Sequence, residues 1–278
     1  MSGSGDIPKR RTDAALQDAR ATKGAARSSA RSWSAASVRR FGISLVLLYL
    51  ATMPLHAADS EATFLTRAET AYRAAQSIRA TNETIATLVD VARTAFDYAN
   101  LATTDDIREK IAEAGMEAAR AAIKLNTNST AAHYYLALDI GQLARTKMLG
   151  ALRLLDDMEH ELQRVIKLDP KFDYAGGHRT IGVLYMEAPG WPASLGSRSK
   201  AKANLEKAVE LAPEFPDNHI CLMEGYLKWR DSHALQERMA AYVTLLPAAQ
   251  KQFAGSEWED EWFDWNRRWK AIQTRARK

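Results

Sequence analysis

A single cysteine, Cys221, stands in a chain of 278 residues, so no intramolecular disulfide can form and no cysteine-based metal site has its spacing. Glycine and proline are sparse, at 14 and 8 residues, and nowhere does a stretch alternate apolar and polar residues as a half-buried strand requires. Glycine-rich phosphate loops are absent as well. The longest apolar run, "FGISLVLLYLATM" (Phe41–Met53), is shorter than the roughly 20 residues that span a bilayer as a helix. A strong basic excess is also lacking. The formal charge is +4, but residues 1–57 hold nine Lys and Arg against three Asp, leaving 29 basic and 31 acidic residues beyond them. No nucleic-acid-binding surface is expected from that balance.

The segment that holds the basic excess has the form of a targeting signal. A basic, Ser/Ala-rich stretch ends at Arg39 and Arg40, the apolar run follows, and Leu55 and Ala57 stand at −3 and −1 of a signal-peptidase site. Residues 1–57 are therefore expected to be a disordered basic leader plus signal peptide, with an uncleaved anchor as the alternative. The mature protein is then periplasmic. Ala58 occupies the place of a lipidated cysteine, so a lipid anchor is not supported.

What is present is a repeat. "EAARAAIKLNTNSTAAHYYLA", "HELQRVIKLDPKFDYAGGHRTIG" and "ANLEKAVELAPEFPDNHICLM" align, with helix-ending Leu125, Leu168 and Leu211 spaced 43 and 43 residues apart. Each leucine precedes a breaker (Asn126, Asp169-Pro170, Ala212-Pro213). Each breaker leads to a histidine and an aliphatic three residues on: His133 and Leu136, His178 and Ile181, His219 and Leu222. The pattern resembles the tetratricopeptide repeat (TPR). Ile181, Gly182 and Tyr185 fill its first helix, and Ala201, Leu205, Ala208 and Pro213 its second. Leu222 and Tyr226 open the next unit, while Gly115, Ala119 and Ala122, and then Met158, Leu162, Val165 and Pro170, close the earlier ones. Small residues let antiparallel helices approach, and the proline blocks continuation.

The period exceeds the ~34 residues of an ordinary TPR. The surplus falls between the two helices of a unit. In one unit it is the turn "APGWPASLGSR" (Ala188–Arg198); in the preceding one it is expected to lengthen the helices around Arg145 to Asp156. Further helices are expected at Glu61–Ala80, Asn82–Leu101 and Asp105–Leu125, then at Ser232–Leu246 and from about Ser256. The last carries Trp258, Trp262, Trp265 and Trp269 on one face, either capping the final repeat or offered to a partner. The fold class expected is all-α: residues 58–278 form a single TPR-like helical-hairpin solenoid of about ten helices with a Trp-rich C-terminal capping helix.

Catalytic motifs fail on inspection. "HELQR" (His160–Arg164) lacks the second histidine of a zinc protease, and "SRSK" (Ser197–Lys200) lacks the partner motifs of a serine acyl-enzyme. His133, His178 and His219 share one repeat position, where packing competes with a ligand role. Neither a metal, a cofactor nor an enzymatic activity is expected. TPR first helices line a concave face, and by register Tyr134, Leu138, Arg179, Val183, Met186, Ile220 and Glu224 point into it. That set suits a peptide, or an amphipathic carboxylate held by Arg179. Trp191 is read as a lid over its helix pair or as an interface anchor. Arg198 and Lys147, beside the inter-helix turns, are candidates for an acidic partner.

The widened TPR units, the stretch "APGWPASLGSRSKAKANLEKAVELAPEFPDN" and "GQLARTK" (Gly141–Lys147) together resemble the T-component (TatT-like) family of tripartite ATP-independent periplasmic (TRAP) transporters, over Ala62 to Trp229. The resemblance implies an exported, non-catalytic binding subunit that partners a periplasmic solute-binding protein, with a hydrophobic or organic-acid ligand and a homotrimer as its possible state. The alternative is a general periplasmic TPR adaptor that binds other envelope proteins in assembly or secretion.

Overall fold

The computed structural model describes residues 55–147, 150–190 and 192–277, without the side chains of 55–60. The leader and its apolar run, up to residue 54, and Trp191 lie outside the described residues. Among the described residues the chain is all-helical: α1 (Leu55–Thr81), α2 (Ile85–Leu101), α3 (Asp105–Leu125), α4 (Thr130–Ala144), α5 (Ala151–Leu168), α6 (Phe172–Glu187), α7 (Arg198–Leu211), α8 (Pro216–Trp229), α9 (Ser232–Gln252) and α10 (Glu259–Ala276). None of these helices is long and apolar enough to cross a membrane.

Local chemistry sets the boundaries. Thr84 and Thr87 form a reciprocal capping box, which holds the start of α2 at Ile85 and not at the Asn82 expected from sequence. Thr104, Ser129, Ser197 and Asp231 accept backbone N–H bonds at the starts of α3, α4, α7 and α9. Pro216 occupies the first turn of α8, where its missing N–H costs nothing. Two expectations are corrected. The surplus around Arg145 does not extend α4, which ends at Ala144 and is followed by a turn at 145–146; the lengthened helix is the 18-residue α5 alone. Helix α9 runs past Leu246 through Pro247 to Gln252, because one lost backbone bond is tolerable when Tyr242 and Ala249 on either side are buried.

Consecutive helices pack as antiparallel hairpins, α2 with α3, α4 with α5 and α6 with α7, and α2 also packs on α4. The repeat positions do what the pattern requires. Met158, Leu162 and Val165 on α5, and Ala201, Leu205 and Ala208 on α7, are fully buried between helices. Helix α5 buries only that stripe and Leu155 in line with it, whereas α4 is buried continuously from Ala131 to Ala144 and α8 from Pro216 to Tyr226. The second helices thus form an outer layer and α4, α6 and α8 an inner one.

The far end is covered by α10, which packs on α8. Its Trp265 is fully buried against Phe215, with ring centroids 5.4 Å apart, and Trp258 packs on Phe253 at 4.8 Å. The first and last of the described helices also meet. Arg67 of α1 pairs with Glu259 at 3.1 Å and Asp260 at 3.3 Å, and Phe64 packs edge-on against Phe263 at 5.5 Å.

Ala208→Arg places a long cation where a methyl is fully buried between α7 and its neighbours. It should lower stability by more than about 3 kcal/mol. Thermal melting followed by circular dichroism checks this; an unchanged transition would mean that the repeat register is wrong.

Candidate functional site

The seven residues expected to line an open concave face are all interior. Tyr134, Leu138, Arg179, Val183 and Ile220 are at most 1% exposed, and Met186 and Glu224 are nearly as deeply buried. This corrects the expectation of an open groove. The inner helices are covered on their free side as well, α4 by α2 and α8 by α10, so positions that point inward meet protein. What the structure does bring together is the polar subset, Tyr134, Arg179 and Glu224, joined through residues that the repeat pattern did not single out.

The centre of this network is Arg179. Its position is prepared by an unusual start to α6: Asp173, Tyr174 and Ala175 all have left-handed backbone, with φ of 51°, 52° and 61°. For residues with a Cβ this costs roughly 1–2 kcal/mol each. The turn aims the Asp173 and Tyr174 carbonyls at the Arg179 guanidinium, which donates to both at 3.2 Å. The guanidinium also donates to the Asp173 carboxylate at 2.8 Å and to the Asn218 side-chain oxygen at 3.1 Å. Tyr134 donates its hydroxyl to the same Asp173 carboxylate at 2.7 Å. The Phe215 ring lies beneath the guanidinium, 5.0 Å away.

From Arg179 the network crosses to α8 and α10. Its Nε lies 3.2 Å from Asp217, a fully buried carboxylate that also pairs with Arg268. Arg268 in turn pairs with Glu224 at 2.8 Å and with Asp264 at 3.3 Å, and donates to the Cys221 sulfur at 3.2 Å. Two guanidinium groups thus face four carboxyls. Burial pulls the proton affinity of Arg179 down, but Tyr134, Asp173 and Asp217 more than offset it, so the cation is held firmly. Asp173 is pushed up to about 6, because burial outweighs Arg179 and the Tyr134 hydrogen bond. Burial and Asp217 push the Cys221 thiol far above its ordinary range, which leaves it a structural and not a nucleophilic group.

The remaining sequence-derived residues have their own partners. His133 bonds Glu161 and the Thr127 carbonyl, His178 bonds Asn204 at 2.9 Å, and His219 bonds the Pro213 carbonyl at 2.8 Å. The shared histidine position therefore ties each first helix to its second helix or to the preceding turn. Burial lowers His219 to about 4, so it stays neutral. Ser197 caps α7 by accepting from the Lys200 N–H, and the Lys200 ammonium sits over the Tyr185 ring at 4.9 Å. Lys147 is paired with Glu109, and Arg198 lies 5.7 Å over the Trp229 ring. No cluster of three or more His, Cys, Asp or Glu suited to a metal ion occurs among the described residues.

The 188–198 turn is closed by its own backbone. Gly196 N–H donates to the Pro189 carbonyl at 2.8 Å and Ser197 N–H to the Tyr185 carbonyl at 2.9 Å. A Cβ on Gly196 would come within 2.2 Å of the Ala188 oxygen, so only glycine fits that crossing. Pro189, Pro192, Ala193, Arg198 and Lys200 are exposed around it.

Sequence reading missed Asp173, Asp217, Asn218 and Arg268. For two of them a signal existed. Asp217 lies seven residues before Glu224 on a helix that carries Ile220, Cys221, Leu222 and Met223 between them, and Arg268 interrupts the Trp face between Trp265 and Trp269. The left-handed turn had no signal, since Asp-Tyr-Ala gives no hint of positive φ.

Arg179→Met removes the shared cation and leaves Asp173 and Asp217 buried with fewer partners. A loss of about 3–5 kcal/mol is expected in urea unfolding. Arg179→Lys should recover little of it, because a single ammonium cannot reproduce the forked contacts.

No family profile and no curated protein matches the chain. Among solved structures, the fold is similar to that of a thermophilic TPR protein of Thermus thermophilus, with a TM-score of 0.52 and 18% identity over 79% of this chain and 96% of that one. Helical hairpins in series, repeat positions buried between them and this likeness together establish a TPR-type α-solenoid fold.

Proposed function

We propose that the protein is an exported, non-catalytic binding subunit that partners a periplasmic solute-binding protein in TRAP-type transport. The observation that carries this reading is the widened, exposed turn at Ala188–Arg198, on which the resemblance to the TRAP T-component family rests. The turn is closed by its own hydrogen bonds and requires Gly196, which makes it a preorganised feature and not slack between two helices. The described inner face is filled by the protein's own side chains, so partner contacts fall to the outer surface. At this turn that surface combines apolar Pro189, Pro192 and Ala193 with basic Arg198 and Lys200. Trp191, in the same turn, is the proposed apolar anchor. An acidic protein surface with an apolar centre complements such an edge. A hydrophobic or organic-acid ligand and a trimeric state follow only from the same resemblance and belong to this proposal.

The second reading, a general periplasmic TPR adaptor for envelope assembly or secretion, is favoured by the fold itself, which serves many interaction scaffolds.

The two readings part in one experiment. The protein is tagged at its C-terminus, expressed from its own locus, crosslinked in the intact envelope and captured, and its partners are identified by mass spectrometry. The transport reading expects a solute-binding protein as the main partner. Recovery should fall at least tenfold for Arg198→Glu/Lys200→Glu, while the loss of their contacts with Trp229 and Tyr185 lowers the melting temperature by only a few degrees. Recovery of assembly or secretion factors instead would sink the transport reading in favour of the adaptor. Retention of the solute-binding protein by the double variant would place its contact elsewhere on the surface.

A further inference from the structure

The inner layer contains a second buried acid that is treated very differently from Asp217. Asp139 lies two-thirds of the way along α4, is fully buried, and neither of its carboxyl oxygens has a hydrogen-bond partner. Its carboxyl lies directly against the backbone of α3: a Cβ on Gly115 would come within 2.3 Å of Asp139 Oδ2 and within 2.8 Å of the Ala95 Cβ of α2. Three helices thus converge on one carboxyl, and the missing side chain at Gly115 is what leaves room for it.

Among the described residues, none of the surrounding elements brings it a cation. From α1 it faces Tyr72, whose phenol is pushed up chiefly by burial and to a lesser extent by Asp139. Helix α2 contributes another acid, Asp97, paired with Arg93 at 3.3 Å, and that arginine also holds Asp90. On α3 the buried charge is Arg108, committed to Asp105 and to the Ala102 carbonyl. Helix α5 presents Leu155, Met158, Leu162 and Val165 to the interior, all apolar. An ionised carboxylate without a partner in such surroundings costs more than a marginally stable fold can offset.

We propose that Asp139 is a proton-operated lock on α2, α3 and α4: protonated, it lets the three helices close on one another, and ionised, it drives them apart. Burial first, and the neighbouring Asp97 charge second, push the Asp139 carboxyl well above its ordinary range, in the same direction as the geometry. The sign follows. Above about pH 4 an unfolded chain releases this proton while the folded one keeps it, so each further pH unit weakens folding until the folded carboxyl itself ionises. The folding constant falls by up to about tenfold per pH unit over that window. This part of the stability is complete in acid and lost on the alkaline side.

The test uses the full chain from pH 5 to 9, with urea unfolding and amide hydrogen exchange corrected for intrinsic rates. Asp139→Asn keeps the shape but not the charge. The difference between wild type and Asp139→Asn should change steadily with pH, with the variant gaining relative stability as pH rises. Protection in α2–α4 should fall with pH in the wild type while α8 and α10 lose less. A wild-type-minus-variant difference that is constant with pH would overturn the lock. Should Asp139→Asn fail to fold, Asp97→Asn decides. Removing the neighbouring charge should move the pH at which stability levels off downward, and an unmoved profile refutes the proposal.

Discussion

Charge buried between helices has to be matched group by group, and Asp217 is where this requirement is most severe. It is fully buried on α8 and is neutralised from two sides, by Arg179 of α6 and by Arg268 of α10. Neither arginine can be supplied by α8 itself. The electrostatic partnership therefore fixes the relative positions of three helices that are far apart in sequence. Apolar packing would tolerate small sliding between them, because dispersion contacts are individually weak and non-directional. A forked guanidinium facing carboxylates does not. The network adds alignment to a solenoid whose cohesion comes from its buried apolar stripes.

The same network explains why the fold accepts a strained start to α6. Three consecutive left-handed residues would be expensive in isolation, yet here their carbonyls and the Asp173 carboxylate are the acceptors that Arg179 requires. Had the helix begun with ordinary dihedrals, the guanidinium would have met fewer acceptors and its charge would have been poorly satisfied. Strain in the backbone and satisfaction of a buried cation are thus two sides of one local arrangement. The consequence for recognition is direct. Residues committed to this arrangement are not free to meet a partner, which is why the contact proposed above lies on the exposed residues of the 188–198 turn.

Much of the architecture is legible in the sequence because it is written in apolar spacing and capping residues. Leu125, Leu168 and Leu211 mark helix ends, and all three terminate helices in the structure. Ala201, Leu205 and Ala208 fall at a helix interface by pattern and are fully buried. The single Trp face also follows from spacing, since Trp258 and Trp265 recur at seven residues, and it is their burial in the structure that decides for the capping role. The candidate site is legible only in part. Register places Tyr134, Arg179 and Glu224 correctly on the inner side of their helices, but register carries no information on what covers that side. Coverage by α2 and α10 is a long-range property. Asp173 and Arg268, 95 residues apart in the chain, meet the same inner layer through a turn and a cap that no periodicity describes.

Asp217 and Asp139 show how one layer of a solenoid can respond unevenly to its surroundings. Both are fully buried carboxyls on inner helices, two repeat units apart. The first is held by two guanidinium groups, so its charge is matched within the fold. The second has no cation, so only its neutral form belongs to the fold. In a repeat protein, stability is close to a sum over neighbouring units, and a local penalty is felt first by the unit that contains it. Ionisation at Asp139 therefore loads α2–α4, at the N-terminal end of the stack, while the Arg179–Asp217–Arg268 bridge keeps α6, α8 and α10 together. The clasp between Arg67 of α1 and Glu259 and Asp260 of α10 links the two regions through partly exposed ion pairs. Such pairs are individually weak and screened by salt, so they can close the molecule without forcing its two ends to open as one.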